Sequence, residues 1–190
     1  MSRFSLFASA AVAILLLASI PASAESMNEK TVNVGGAPMY PSKNIVQNAV
    51  NSKDHTTLVA AVKAAGLVDT LQSAGPFTVF APTNAAFAKL PAGTVNNLVK
   101  PENKDTLTKI LTYHVVPGRL TAATLMKAIK DGEGTAKFKT VAGGDIWIKQ
   151  AGPGKLSVTD AKGDVAMVTI PDVLQSNGVI HVIDTVLLPM

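Results

Sequence analysis

Residues 177–190 constrain the fold of this chain more than any other stretch. A Gly turn at Gly178 leads into an apolar run over 179–188 that is rich in β-branched residues and is interrupted only by His181 and Asp184. This pattern predicts a buried β-strand. A buried imidazole or carboxylate needs hydrogen-bond partners, so His181 and Asp184 are candidates for structural bonds or for a site.

The spacing of these two polar residues favours structural roles. His181 and Asp184 are three positions apart, so on one strand they face opposite sides of the sheet and cannot form an acid–base pair. His181 shares its face with Val179 and Ile183, which predicts a half-buried ring with satisfied nitrogens. Asp184 is expected to cap a turn or to accept backbone N–H groups.

The amino terminus has the pattern of an export signal. Arg3 precedes an apolar stretch over 4–20, and small residues follow in an Ala-x-Ala arrangement that ends at Ala24. We therefore predict a signal peptide over 1–24, a cut after Ala24, a secreted or periplasmic protein, and no stable membrane insertion. The alternative is an uncleaved anchor, although the stretch is short for a span of about 20 residues. The sequence has no Cys, so neither disulfides nor a lipoprotein anchor is expected.

The remaining chain predicts one domain. Residues 25–41 are polar and rich in Gly and Pro, which indicates a lead-in, and 42–190 form the domain. Helical spacing begins at Thr56 and can end at Gly66 or Gly75, and a strand is predicted over 77–80. A brief helix should open at 82–84, and Pro91 and Pro101 are expected in the first turns of helices.

The second half changes from helical to alternating periodicity. From residue 136, short extended segments are separated by Gly turns, with strands predicted at 146–148, 156–158, 165–170 and 179–188. Helices followed by antiparallel strands predict an α+β domain. Trp147 should face away from Ile146 and Ile148, and a packed position in the core is favoured over a surface contact. Residues 39–41, with Met39 and Tyr40, are a second candidate for an apolar contact.

Three blocks of the sequence resemble the fasciclin-type (FAS1) family. They are residues 78–87, residues 111–118 with Tyr113-His114, and the C-terminal run, and residues 57–67 are similar to the leading helix of the family. The resemblance implies a wedge-like β-sandwich with helices along one side. It also implies extracellular adhesion to cells, matrix or a host. Asn84 stands where many members have Asp.

Tyr113 and His114 have two possible roles. The resemblance to animal relatives implies that the Tyr-His pair takes part in binding. The residues themselves favour a structural role, because His114 lies on the apolar helical face of 107–111 and a buried imidazole can join two elements. Thr83 and Asn84, at a strand-to-helix turn, are its expected partners.

No pattern of catalysis is present. The sequence lacks a nucleophile elbow and a zinc-protease motif, and its three His residues are widely separated. We expect no catalytic residue, metal or cofactor. The chain is only mildly basic, with a net charge of +4, and its lysines are dispersed rather than clustered. This argues against a nucleic-acid partner. The predicted function is an exported, non-catalytic adhesion or interaction module with an extracellular protein or glycan partner. The alternative is a periplasmic binder of a polysaccharide or small ligand in a groove between sheet and helices, with an enzyme as a third, weaker hypothesis.

Overall fold

A computed structural model describes residues 30–190, so the predicted signal peptide and its cut after Ala24 lie outside the described residues. The helices are α1 (Ile45–Ala49), α2 (Thr56–Ala65), α3 (Val68–Gln72), α4 (Asn84–Ala88), α5 (Thr94–Leu98), α6 (Lys104–Tyr113) and α7 (Ala122–Asp131). The strands are β1 (Val32–Val34), β2 (Ala37–Met39), β3 (Phe77–Pro82), β4 (Val115–Pro117), β5 (Thr135–Lys139), β6 (Asp145–Gln150), β7 (Leu156–Thr159), β8 (Val165–Gln175) and β9 (Gly178–Ile183). Short 3-10 turns cover Lys53–His55 and Pro101–Asn103. The predicted α+β class is confirmed.

Local signals set several helix ends as predicted. Gly66 ends α2 with φ of 72°, a left-handed conformation that glycine adopts without strain. Thr83 caps α4, because its hydroxyl accepts the Ala86 N–H at 3.2 Å. The prediction for Pro91 is wrong. Its carbonyl accepts the Thr94 N–H at 3.0 Å and closes a turn, so α5 begins three residues later.

The large sheet is mixed rather than purely antiparallel. Its strand order is β4-β3-β9-β8-β7-β6-β5. Strand β9 pairs in parallel with β3, in the register Phe80 to His181, and antiparallel with β8. The C-terminal run therefore lies inside the sheet and joins the first half of the domain to the second. The parallel pair was not expected, since no local pattern indicates which distant strand will lie alongside.

The last two strands differ from their predicted lengths. Strand β9 ends at Ile183 rather than at residue 188, because Asp184 turns the chain by bonding Met167 through both its N–H and its carboxylate. Strand β8 continues past residue 170 to Gln175. It does so through an irregular register at Pro171 and Asp172, where Asp172 has φ of 55°.

Two apolar cores lie on opposite faces of the β3–β9 pair. Val79, Ile180 and Val182 belong to the first core, which also contains the buried faces of α1, α2, α3, α4 and α6. Phe80 and Ile183 belong to the second core, with α7 and the inner faces of β5, β6 and β7. Burial on both sides explains why β9 has an almost continuous apolar sequence.

The described part of the predicted lead-in is a hairpin. Strands β1 and β2 pair antiparallel across Gly35 and Gly36, which both have positive φ. Val34 and Met39 are buried in the first core, so residues 30–41 pack with the rest of the domain. No helix between residues 30 and 190 has both the length and the apolar character to cross a membrane.

Candidate interaction site

Tyr113 joins α6 to the β6 and β7 side of the domain. Its side chain is fully buried. The hydroxyl donates to the Asp145 carbonyl at 2.6 Å and accepts the Ala161 N–H at 2.9 Å. Gly144 lies against the ring, where an added Cβ would be 2.8 Å from the ring carbon Cε2. The phenol therefore fixes three segments that are distant in sequence.

His114 connects the end of α6 to the C-terminal segment. Its Nε2 accepts the Leu187 N–H at 2.9 Å, so the proton of the neutral ring is on Nδ1, which donates to the Ile110 carbonyl at 2.8 Å. Burial lowers the pKa of His114 to about 4, although the Ile110 carbonyl and the charge of Asp160 act in the opposite direction. The ring is neutral at pH 7 and has both nitrogens bonded.

The expected partners of His114 were wrong. The Thr83 hydroxyl caps its own helix, and Asn84 bonds the Thr57 N–H at 3.0 Å and the Lys53 carbonyl at 2.8 Å. Asn84 thus links α4 to the start of α2. Only the main chain joins His114 to the first family block, where its carbonyl accepts the Phe80 N–H at 2.9 Å. Thr83 and Asn84 directly follow β3, and their side chains make no hydrogen bond with the His114 ring.

His181 is also buried and fully bonded. Its Nδ1 accepts the Asp172 N–H at 3.3 Å, and Nε2 therefore donates to the Leu120 carbonyl at 2.7 Å. The ring stacks on Phe80 with 5.6 Å between centroids. Burial lowers the pKa of His181, against the opposing effects of the Leu120 carbonyl and Asp172. These bonds hold the irregular part of β8 and the segment before α7 against β9.

Asp184 bonds the backbone at the point where the chain leaves the sheet. Its carboxylate accepts the Met167 N–H at 2.8 Å and the Thr185 hydroxyl at 3.0 Å, and Lys89 Nζ lies 3.6 Å away. Burial alone would raise the pKa of Asp184, but the two hydrogen bonds and the lysine together lower it. The carboxylate is therefore ionised at neutral pH.

Every sequence-predicted site residue thus has partners within the chain. Tyr113 and His114 are respectively 0% and 2% exposed, so neither side chain presents surface to a partner in this structure. Their role in binding stays a prediction. A partner of this form of the protein would contact other, exposed side chains.

Trp147 marks one region of such side chains. The predicted core position of Trp147 is wrong: the ring lies opposite the buried Ile146 and Ile148, is half-buried, and belongs to neither core. The outer surface of β5–β8 around it will be called the tryptophan face. Its principal side chains are Lys137, Lys139, Trp147, Lys149, Val165 and Met167.

The register of the strands builds the tryptophan face. One row across β5 to β8 contains Lys137, Trp147, Thr159 and Val165, so a basic, an aromatic, a hydroxyl and an apolar side chain lie side by side. Val165 is 52% exposed. Helix α7 covers the other side of these strands, because Leu125 and Ile129 pack in the second core. The tryptophan face is left to solvent.

The tryptophan face is basic. Lys137 Nζ lies 5.7 Å from the centroid of the Trp147 ring and 2.9 Å from an Asp145 carboxylate oxygen. Asp145 also lies opposite Lys139 in the ladder. Lys149 is exposed and makes no ion pair within residues 30–190. Three ammonium groups therefore face one carboxylate around a central aromatic ring. The alternation of Lys with Ala and Phe at 135–139 was the sequence signal for this face.

Residues 30–190 contain no group of three or more His, Asp or Glu side chains that could hold a metal ion. The side chains of His114, His181, Asp160 and Asp172 instead bond the backbone, and Asp131 and Asp145 pair with lysines. The site that remains for a partner is a surface of mixed aromatic, apolar and basic character.

Proteins of one known family are similar to this chain in sequence and in fold. The model of the fasciclin domain family matches residues 53–189. A structure of a FAS1 domain pair from the insect cell adhesion molecule Fasciclin I is similar, with a TM-score of 0.68 at 20% identity. The match covers 85% of this chain and 58% of that one, so this chain spans little more than half of the domain pair. The FAS1 β-sandwich predicted from the sequence is confirmed.

Relatives in sequence include proteins from several bacteria. Protein sll1483 of Synechocystis is 50% identical over 85% of this chain and 82% of its own length. The immunogenic protein MPB70 of Mycobacterium bovis is 37% identical over 89% of this chain and 74% of its own. The transforming growth factor-beta-induced protein ig-h3 of Sus scrofa is 37% identical over 70% of this chain, which spans 17% of that protein.

Proposed function

Because the chain belongs to the fasciclin domain family, we propose that it is an exported, non-catalytic interaction module that binds an extracellular protein or glycan through the tryptophan face. The observation that carries this proposal is the half-buried aromatic ring among three exposed lysines on the outer face of the sheet. Export is supported by the signal pattern of residues 1–24.

The chemistry of the tryptophan face suits a large acidic partner. A tryptophan presents a wide, rigid apolar surface and loses little conformational freedom on binding, which is why it is frequent among residues that dominate binding energy. The lysines attract a negatively charged surface and increase the association rate. Val165 and Met167 add apolar surface on β8, beyond Thr159 and Ser157 of β7. A protein or polymer with exposed carboxylates or sulfates would meet all three features.

The proposed lack of catalysis is supported by the partners that His114, His181 and Asp184 already have within the chain. His114 and His181 each have both ring nitrogens bonded, and Asp184 is held by the backbone and a lysine. A general base needs a lone pair available to its substrate. The names of similar proteins, including an insect cell adhesion molecule and the cell surface glycolipoprotein MPB83, also favour a contact role.

Solid-phase binding tests the proposal. Residues 25–190 are applied to immobilised matrix proteins and acidic glycans, alongside Trp147→Ala and Lys149→Glu. Loss of the aromatic contact should weaken binding by about tenfold or more, as for a central interface residue. Lys104→Glu is the matched charge control, because Lys104 is exposed on α6 and does not belong to the tryptophan face. This variant should bind like the wild type.

Two outcomes would change the conclusion. Full binding by Trp147→Ala would remove the tryptophan face from the proposal. Displacement of the partner by a free simple saccharide would favour the alternative, a periplasmic binder of polysaccharide, over contact with a large protein surface.

A further inference from the structure

Asn177 and Gly178 form the only Asn-Gly pair of the chain. In such a pair the glycine nitrogen can attack the side-chain carbonyl carbon of the asparagine, because glycine has no Cβ to hinder the approach. A C–N bond forms to the Gly178 nitrogen, the bond to Asn177 Nδ2 breaks, and ammonia leaves with the proton of the attacking amide. Water then opens the succinimide ring, at the side-chain carbonyl to give aspartate or at the main-chain carbonyl to give isoaspartate. The sequence therefore contains a deamidation site whose co-reactant is water.

The fold holds the Asn177 side chain at both ends of its amide. Oδ1 accepts the Ile45 N–H at 3.1 Å, and Nδ2 donates to the Leu71 carbonyl at 2.8 Å and to the Ser73 carbonyl at 2.9 Å. Asn177 is only 6% exposed. One buried amide thus joins the turn between β8 and β9 to the start of α1 and the end of α3.

The main chain beside this amide is held as well. The Asn177 carbonyl accepts the Phe77 N–H at 3.0 Å, and a Cβ added to Gly75 would lie 2.2 Å from this carbonyl oxygen. Gly178 is buried and pairs with Phe77 of β3 and with Gln175 of β8. Ring closure needs the Asn177 side chain to turn until its carbonyl carbon meets the Gly178 nitrogen, which these hydrogen bonds oppose. The reaction therefore requires this part of the domain to open first.

Neither product of the reaction fits the native site. Aspartate at position 177 could still accept the Ile45 N–H, but its second oxygen cannot donate to the Leu71 and Ser73 carbonyls. A buried charge beside two unpaired carbonyls is strongly unfavourable. Isoaspartate adds a methylene to the main chain next to Gly178, where even a Cβ would lie 2.0 Å from the Phe77 carbonyl oxygen. Both products should therefore weaken the folded state.

We propose that Asn177 is a modification site that deamidates when the chain is open, and that deamidated chains are excluded from the native fold. In the folded protein the hydrogen bonds of the side chain protect the amide. In an open chain nothing holds the amide away from the Gly178 nitrogen, and the reaction is irreversible because ammonia leaves. The site thus limits the native population to chains that fold before they deamidate. It shares no residue with the tryptophan face and is independent of the proposed function.

Peptide mapping of residues 25–190 tests the proposal. Trypsin releases residues 163–190 as one peptide, because no Lys or Arg follows Lys162, and Asn177 is its only asparagine. The protein is incubated at pH 8 in buffer and in guanidinium chloride at a concentration that unfolds it, and deamidation of this peptide is followed by mass spectrometry. Deamidation should be about a hundredfold or more slower in the folded protein, because only the open fraction of molecules reacts.

Two substitutions examine the chemistry and its consequence. In guanidinium chloride, Gly178→Val should deamidate severalfold more slowly than the wild type, because a branched side chain hinders the attacking nitrogen. Asn177→Asp carries one product and should raise the equilibrium constant for unfolding by about a hundredfold. Asn33→Asp is the matched control, because it adds the same charge at an exposed position of β1 and should unfold like the wild type.

Refolding of partly deamidated wild-type protein tests the exclusion of modified chains. After dilution from guanidinium chloride, the folded, protease-resistant fraction should contain intact Asn177, and the deamidated peptide should be concentrated in the chains that the protease degrades. Trp147→Ala should give the same rates and the same distribution, which keeps this test separate from that of the proposed function.

The proposal is overturned if Asn177 deamidates at similar rates in the folded and the unfolded protein. It is also overturned if Asn177 of the unfolded protein stays intact while a free peptide of residues 174–180 deamidates, or if deamidated chains refold in the same proportion as intact ones. Since these measurements use the wild type, the test remains decisive even if Asn177→Asp does not fold.

Discussion

Acid should destabilise this domain through His114, and the effect can be isolated by His114→Gln. In the unfolded chain the imidazole has its ordinary pKa of 6.5, whereas burial holds it at about 4 in the folded protein. Between these values the unfolded state binds more protons. The free energy of unfolding therefore falls as the pH falls from about 6.5 and levels off below about 4.

The size of the effect follows from the same two values. At about 1.4 kcal/mol per pH unit, the interval from 6.5 to about 4 corresponds to about 3 kcal/mol for His114. Burial lowers the pKa of His55 and His181 as well, so the wild type should lose more than this. A domain with a typical stability of about 5–15 kcal/mol would be visibly weakened.

Urea unfolding followed by circular dichroism at pH 7, 6, 5 and 4 measures the effect. His114→Gln can still accept the Leu187 N–H but leaves the Ile110 carbonyl without its side-chain donor, which should cost about 1–2 kcal/mol at pH 7. Because glutamine does not titrate, its curve should be flatter by about 3 kcal/mol, so it should cross the wild-type curve in acid and end about 1–2 kcal/mol above it near pH 4.

A matched control separates titration from simple destabilisation. Val186→Ala weakens the same C-terminal segment without removing a titrating group, so its curve should run parallel to that of the wild type. If the curve of His114→Gln is also parallel to the wild type, the neutral buried imidazole is refuted.

Three further substitutions test the structure. Tyr113→Phe leaves the Ala161 N–H without its acceptor and should cost about 1–3 kcal/mol in urea unfolding; an unchanged midpoint would argue against the buried phenol. Gly178→Ala should destabilise by about 3 kcal/mol, because its Cβ would lie 2.0 Å from the Phe77 carbonyl oxygen; a tolerated alanine would contradict the tight β3–β9 pairing. Lys149→Glu should change stability by only about 0.5 kcal/mol, and a larger loss would mean that its effect on binding reflects unfolding.

Local chemistry made much of the fold predictable. Gly66 and Thr83 marked helix ends, because left-handed backbone and hydroxyl caps have few substitutes. The alternation around Ile146 and Ile148 identified β6, since one face of that strand is buried. The β-sandwich was predicted from the resemblance of three blocks to the fasciclin family, because no local sequence pattern indicates how strands pack into a sandwich.

Contacts between residues that are distant in the sequence could not be predicted from local patterns. His114 bonds Leu187, 73 positions away, while the side chains expected to bond it, those of Thr83 and Asn84, have other partners. Helix α7 was not predicted, although Thr121 caps its start by accepting the Thr124 N–H. The surroundings of Trp147 depend on which strands lie beside β6. The sequence of β6 alone therefore did not show whether the ring packs in the core or lies on the surface.

The fluorescence of Trp147 tests the proposed contact most directly, because it is the only tryptophan in the chain. A partner captured by residues 25–190 is titrated into the protein while binding and emission are followed together. If the tryptophan face makes the contact, the emission should shift or be quenched with the same half-saturation as binding, and Lys149→Glu should weaken both. Full binding with unchanged Trp147 emission would contradict the account.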